Sequence, residues 1–212
     1  MKIIVGVKQM KPKINYQKKL EELIKTLNEK PTLLLHSCCG PCSTEVISFL
    51  KDYFDITIYY YNPNIEPLEE YLHRKREQIR FLKEYKEAKI KFLDCDYDND
   101  SFKQIAKGLE SVPEGGARCN KCFYLRMQRT ATIAKDNNFE YFGTTLTVSP
   151  HKNSEIINEI GEKIMKEYNI KYIYGDFKKN DGYKKSIEMS KAYNLYRQDY
   201  CGCLYGKERI WN

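Results

Sequence analysis

No apolar run in this 212-residue chain nears the roughly 20 residues that a membrane-crossing helix needs. The strongest runs, TLLL, ITIYYYN and IKFL, are of strand length. The opening MKIIVGVKQMKPK has a short apolar run with charges close behind it and no small-residue cleavage site, so no secretory signal is read there. Internal repeats, low-complexity tracts and a basic tail are also missing. Histidine is scarce, and His36, His73 and His151 show no metal-ligand spacing. These absences exclude a membrane-spanning class and set the expectation of a cytoplasmic protein with no membrane partner.

What is present is the composition of a folded domain. Hydrophobic residues make up 42% and aromatics 13%, which disordered chains do not reach. The length suffices for a proper core. The formal net charge of +7 divides as an excess of +2 over residues 1–106 and +5 over residues 107–212. Its richest window, 177–197, carries Lys178, Lys179, Lys184, Lys185, Lys191 and Arg197 against Asp181 and Glu188. A solvated helix face accounts for such a window, and so does a polyanionic partner. Charge alone permits nucleic acid without establishing it.

Cysteine is the residue in excess. Eight stand at 38, 39, 42, 95, 119, 122, 201 and 203. Disulfide frameworks belong to small secreted domains with poor cores, which this chain is not; in a reducing compartment, grouped thiols bind metal or do redox chemistry. Seven fall into Cys-Cys-x-x-Cys, Cys-x-x-Cys and Cys-x-Cys. Cys95, alone in FLDCDY, reads as a strand-buried thiol.

Periodicity places these groups. Helices are predicted over 15–29, from Pro41 through SFL, over 66–86, to about 109, to about 137, to about 167, and over the basic window. Strands are predicted in TLLLHS, DITIYYYN, KIKFLDCD, EYFGTTLTVS and IKYIYGDF. The alternation predicts an α/β fold with a mostly parallel sheet flanked by helices. Its boundaries are an N-terminal helical extension over 1–30 and a single α/β catalytic domain with metal-binding loops over 31–212. In such sheets ligands bind beyond the C-terminal strand ends, where HSCC, NPN and TTLTVSP all stand. The cysteine-bearing loops are expected to close over that edge.

Zinc ribbons use paired Cys-x-x-Cys knuckles, and only Cys119 and Cys122 form a clean isolated pair. Iron–sulfur clusters accept thiolates from separate segments, which suits this spacing better. Cys39-Gly-Pro-Cys42 also resembles a thioredoxin dithiol entering a helix, but a third cysteine, Cys38, precedes it and four more remain unexplained. Asp94, Asp96, Asp98 and Asp100 alternate like a calcium loop, yet Asn99 and Ile105 occupy the positions where that loop needs Gly and Glu.

Together, LHSCCGPCS, YNPNIEPLEEYLHRKRE, EGGARCNKCFYLRM, FGTTLTVSPHKN and GDFKKNDGYKKSIEMSKAYNLYRQDYCGCLYG resemble the QueH-type epoxyqueuosine reductases, in order, from about residue 33 onward. Before about residue 30 no resemblance is read. The resemblance implies a Rossmann-like (HUP-type) fold. It also implies reductive removal of the epoxide oxygen of epoxyqueuosine at the tRNA wobble position, giving queuosine. It further implies a [4Fe–4S] cluster with a second, mononuclear iron, held by Cys38, Cys39, Cys42, Cys119, Cys122, Cys201 and Cys203.

Removing the oxygen as water takes two electrons and two protons, so an external electron donor is a required partner beside tRNA. Asp199, Tyr200 and His36 are the candidate proton donors, with Asp199 also a candidate oxygen ligand. Lys152, Lys178, Lys179, Lys184, Lys185 and Arg197 are the candidate phosphate contacts. The other classes left open are a tRNA desulfurase or thiolation enzyme with a cluster, a metal-free dithiol oxidoreductase and a zinc-stabilised RNA-binding module.

Overall fold

The computed structural model describes residues 14–206. Residues 1–13 of the N-terminal extension lie outside the described residues. The chain runs α1 (Tyr16–Lys25), β1 (Thr32–His36), α2 (Gly40–Leu50), β2 (Asp55–Tyr59), α3 (Leu68–Glu84), β3 (Lys91–Leu93), α4 (Asn99–Ala106), α5 (Ala117–Asp136), β4 (Tyr141–Thr144), α6 (Ser154–Tyr168), β5 (Lys171–Tyr172) and α7 (Gly182–Ala192). All five strands are parallel, in the order β3-β2-β1-β4-β5. The predicted α/β architecture is the observed one.

Helices cover both faces, so the central strands are buried on both sides and read as continuous apolar runs. Leu33 and Leu35 of β1 point into a core with Leu20 of α1, Val46, Ile47 and Leu50 of α2 and Phe81 of α3. Leu34 points the other way, against Met127 and Ala131 of α5 and Ile157 and Ile164 of α6. The period of two along β1 therefore sends the next even position, His36, toward α5.

The strand order reverses between β1 and β4, which stay paired through His36 and Thr144, and the connections leaving them turn to opposite faces, α2 to one and α6 to the other, at the crevice where such folds bind ligands. The edge strands are shorter than predicted. KIKFLDCD is a strand only over Lys91–Leu93, so Cys95 lies past its end, half-buried, with its thiol donating to the Tyr60 carbonyl at 3.3 Å. IKYIYGDF is a strand only over Lys171–Tyr172. Beyond it, the Asn158 side chain takes both the N–H and the C=O of Gly175, at 3.1 and 2.8 Å.

Candidate metal centre

The first thiol group is built by a strand end and a helix start. After β1 the chain turns through Ser37 and Cys38, and Cys39 becomes the N-cap of α2, its Sγ accepting from the Cys42 N–H at 3.4 Å. Pro41 sits in the first turn, where its missing N–H costs nothing. This geometry brings the sulfurs of Cys38, Cys39 and Cys42 within 4.8 Å of one another, with Cys38 and Cys39 4.0 Å apart. The end of β4 holds the group from the other side of the crevice: the Cys38 N–H donates to the Thr145 hydroxyl at 3.3 Å, and that hydroxyl donates to the Cys38 sulfur at 3.6 Å.

The second group comes from α5 and the C-terminal loop. Cys119 and Cys122 stand one turn apart on the first turns of α5, and the Cys119 sulfur accepts from the Gly115 N–H at 3.3 Å. Cys201 and Cys203 reach the same cavity, which Asn64, Lys152 and Phe123 also line. Gly202 between them has φ +93°, a region open mainly to glycine, and an added Cβ would lie 3.0 Å from Arg74 Nη1. The loop is tied to the body by the Glu66 N–H donating to the Gly202 carbonyl at 2.9 Å and by Arg74 Nη1 donating to the Cys201 carbonyl at 3.3 Å.

Two buried cations stand between the groups. Arg126, fully buried in α5, donates from Nε to His36 Nε2 at 3.3 Å and from Nη2 to Asn62 Oδ1. Asn62 in turn donates to the Ser37 carbonyl at 2.8 Å, and His36 Nδ1 pairs with the Thr144 hydroxyl at 2.9 Å. Burial opposes the Arg126 charge, but the neighbouring thiols Cys122, Cys38 and Cys201 more than offset it and raise its pKa. Lys152 is 8% exposed; burial is likewise overcome there, by Cys201, Cys38 and Cys42. In the same field the Cys38 thiol is pulled well below its ordinary value, first by hydrogen bonds from Cys39 and Cys42 and then by Lys152 and Arg126. Burial pushes Cys39 and Cys122 up to about 12 and Cys203 to about 11. The field thus favours the anionic form of Cys38 and the protonated form of Cys39, Cys122 and Cys203, whose protons a bound metal would displace.

The candidate proton donors occupy three different settings. Asp199 lines a cavity of about 200 Å³ that reaches Cys42. Tyr200 lies under Arg74, 4.9 Å from ring centroid to guanidinium, and lines neither cavity. His36 is completely buried; desolvation and then the Arg126 charge lower its pKa to about 3, so it is a neutral, hydrogen-bonded ring. Lys152 lies between the thiols and away from the surface, a position from which no phosphate backbone is reached. Lys178 pairs with Asp176 at 3.0 Å, Lys179 donates to Asn15 at 2.9 Å and Lys185 faces Glu45 at 3.9 Å. Lys184 is exposed beside them on α7, and Arg197 is exposed on the cavity rim.

Sequence reasoning passed over Arg126, Asn62 and Gln198. A signal for Arg126 was available: it follows Cys122 by four residues on one helix, which puts both on the same face. Asn62 and Gln198 carry no such mark.

The donor set suits iron–sulfur chemistry. Seven thiols, soft ligands once deprotonated, stand in two groups beside two buried cations that offset negative charge. Arg118 Nε, Asn64 Oδ1 and Asn120 Oδ1, from residues lining the second cavity, are buried with no hydrogen-bond partner among the described residues. Polar groups that line a bound cofactor are left in this state by the protein alone.

A family model described as epoxyqueuosine reductase QueH matches residues 33–209. The epoxyqueuosine reductase QueH of Staphylococcus epidermidis is 45% identical over 206 residues, covering 93% of this chain and 87% of that protein. Its counterpart in Acinetobacter baylyi is 46% identical, covering 82% and 79%, and that of Thermotoga maritima is 32% identical, covering 82% and 89%. The Staphylococcus match is longer than the segment from residue 33 to the end, so the likeness extends upstream of the point where the motifs begin.

Proposed function

This chain belongs to the QueH family of epoxyqueuosine reductases, and from that premise we infer that it reduces epoxyqueuosine to queuosine in tRNA. The epoxide C–O bonds break, two electrons and two protons enter, and an alkene and water leave. Family membership disfavours the desulfurase, dithiol and zinc-module readings. The observation that supports the inference best is the convergence of two thiol groups and two buried cations at the β1/β4 crevice.

In this proposal Cys38, Cys39, Cys42, Cys119, Cys122, Cys201 and Cys203 hold a [4Fe–4S] cluster and a mononuclear iron. Bound there, the metals supply single-electron transfer and a Lewis acid. The rest falls to the chain. Arg126 and Lys152 hold positive charge against the thiolates and favour electron uptake. Neutral His36 fixes Arg126 and leaves it charged, through the contact at Nε2. Asp199, in the cavity that reaches Cys42, carries protons to the departing oxygen, and Tyr200 steadies Arg74 beneath the Cys201 loop. Lys178, Lys179, Lys184, Lys185 and Arg197 face the tRNA backbone, and the anticodon base, already outside a duplex, is splayed in without melting pairs. Among the described residues no helix is long and apolar enough to cross a membrane, and the cytoplasm, where tRNA is modified, is the proposed location. Reducing equivalents come from an external donor.

Anaerobic purification with iron and sulfide analysis, an optical spectrum and reduction of epoxyqueuosine-bearing tRNA is the test. Iron, sulfide, a broad visible band and queuosine are expected. A colourless, iron-free protein that still turns over tRNA refutes the metal assignment, and an iron-loaded one that cannot reduce the substrate refutes the activity.

A further inference from the structure

We propose that the cavity of about 200 Å³ between Cys42 and Tyr183 receives the epoxide-bearing cyclopentane diol of the substrate, while the base stays outside on the rim formed by Tyr183 and Arg197. The proposal rests on the epoxyqueuosine reading and adds which part of the nucleoside enters and what meets it.

Position comes first. Cys42 of the first thiol group and Asp199 share this one cavity, so a ring inside it lies against both a ligand thiol and a carboxyl group. The second cavity offers only about 40 Å³ and is walled by the other four thiols.

Size comes next. An engineered cavity of about 150 Å³ accommodates a benzene ring. The present one, part of which a metal on Cys42 would take, therefore admits at most a single hydroxylated five-membered ring, and a fused bicyclic base in addition would overfill it.

Chemistry agrees. Gln198, on the wall, has a buried Oε1 with no partner among the described residues, and Asp199 adds carboxylate oxygens. Both are acceptors, and a diol brings O–H donors; such a buried acceptor favours a ligand that can donate to it. At the mouth, the Arg197 guanidinium stands 5.4 Å over the Tyr183 ring, with Arg197 exposed. That pair presents a flat, cationic, aromatic surface of the kind on which unpaired bases stack. Ser186 of α7, buried on the inner wall, is the point from which the cavity can be filled.

Kinetics on epoxyqueuosine-bearing tRNA with iron-loaded wild type, Ser186→Leu and Tyr183→Ala test the proposal. Ser186→Leu should lower kcat/KM by on the order of tenfold or more. Tyr183→Ala should raise KM with kcat near wild type. Both should keep wild-type iron content, and Tyr183→Ala the wild-type melting temperature. Free epoxyqueuosine nucleoside should inhibit the wild type and not Ser186→Leu, whereas the nucleoside lacking the cyclopentane ring should inhibit both equally weakly. Wild-type kcat/KM in both variants, or equal inhibition of both proteins by the ring-bearing nucleoside, overturns the proposal. If Ser186→Leu does not fold, the KM of Tyr183→Ala decides alone. An iron-loaded wild type that leaves the tRNA epoxide unchanged under a low-potential reductant refutes the underlying reading instead, before any variant is compared.

Discussion

Arg126→Met removes a buried charge at nearly constant volume, and its effect follows from what the guanidinium touches. Arg126 donates to His36 Nε2 and Asn62 Oδ1, and its charge falls on Cys122, Cys38 and Cys201. Losing the donor strands the Asn62 oxygen in the interior, a cost of about 1–3 kcal/mol. Removing one member of a buried charge set while its partners stay costs about 3–5 kcal/mol, so the melting temperature should fall as well. The second effect is electrostatic. A unit charge about 4 Å from another interacts by about 4 kcal/mol at an effective dielectric constant near 20, and by about 1 kcal/mol in water. For a one-electron couple, about 1.4 kcal/mol corresponds to about 59 mV. Removing a cation disfavours the more negative, reduced state, so the midpoint potential should fall by about 40–170 mV. Arg126→Lys keeps the charge and should shift it by less than half as much. The assay is an anaerobic redox titration followed by electron paramagnetic resonance, with iron per chain and melting temperature measured on the same samples. An iron-replete, folded Arg126→Met whose potential matches the wild type within about 20 mV refutes the reasoning that this charge acts on the centre.

Cys95→Ala should leave iron and sulfide per chain unchanged, because its thiol bonds to the Tyr60 carbonyl past β3 and lies outside both thiol groups; loss of metal there would enlarge the ligand set. Gly202→Ala forces a side chain into φ +93° against Arg74 Nη1 and Ile65, at a backbone cost of about 1–3 kcal/mol. Since the glycine spaces Cys201 from Cys203, iron content should fall more steeply than thermal stability, and a fully iron-loaded variant would contradict the role given to this turn. Replacing Lys184 and Lys185 together by Gln should weaken tRNA binding and reduce the logarithmic salt slope by about one per lysine. An unchanged slope in a binding titration between low and physiological salt would remove α7 from the RNA-facing surface.

The parallel sheet was readable because β1 and β2 are unbroken apolar runs and because helical and strand periodicities alternate along the chain. The edges were misjudged for a physical reason. KIKFLDCD and IKYIYGDF open with strand composition, but ladder pairing stops where the neighbouring strand ends or where Asn158 takes the Gly175 backbone groups. The Cys38, Cys39 and Cys42 group was legible from its spacing, whereas the shared cavity of Cys119, Cys122, Cys201 and Cys203 was not. His36 shows the limit. Its place beside Cys38 suggested a proton donor, and only the approach of Arg126 from α5 and of Tyr61 from β2's end reveals a ring with both nitrogens engaged. Lys152 shows the same limit with the opposite polarity: lysines face solvent by default, and burial among thiolates is a property of the assembled loops.

By itself the sequence determined the α/β architecture and the grouping of seven cysteines in three motifs, the first of them at the C-terminal end of β1, because periodicity and spacing are local and survive without coordinates. Tertiary structure alone decided which groups share a cavity. It made two thiol sets out of three motifs, put Arg126 and Lys152 between them, and brought Asp199 and Gln198 to the Cys42 wall. Those neighbours come from segments up to more than a hundred residues apart, and a burial that turns a surface cation into a buried one exists only once the helices have closed over the sheet.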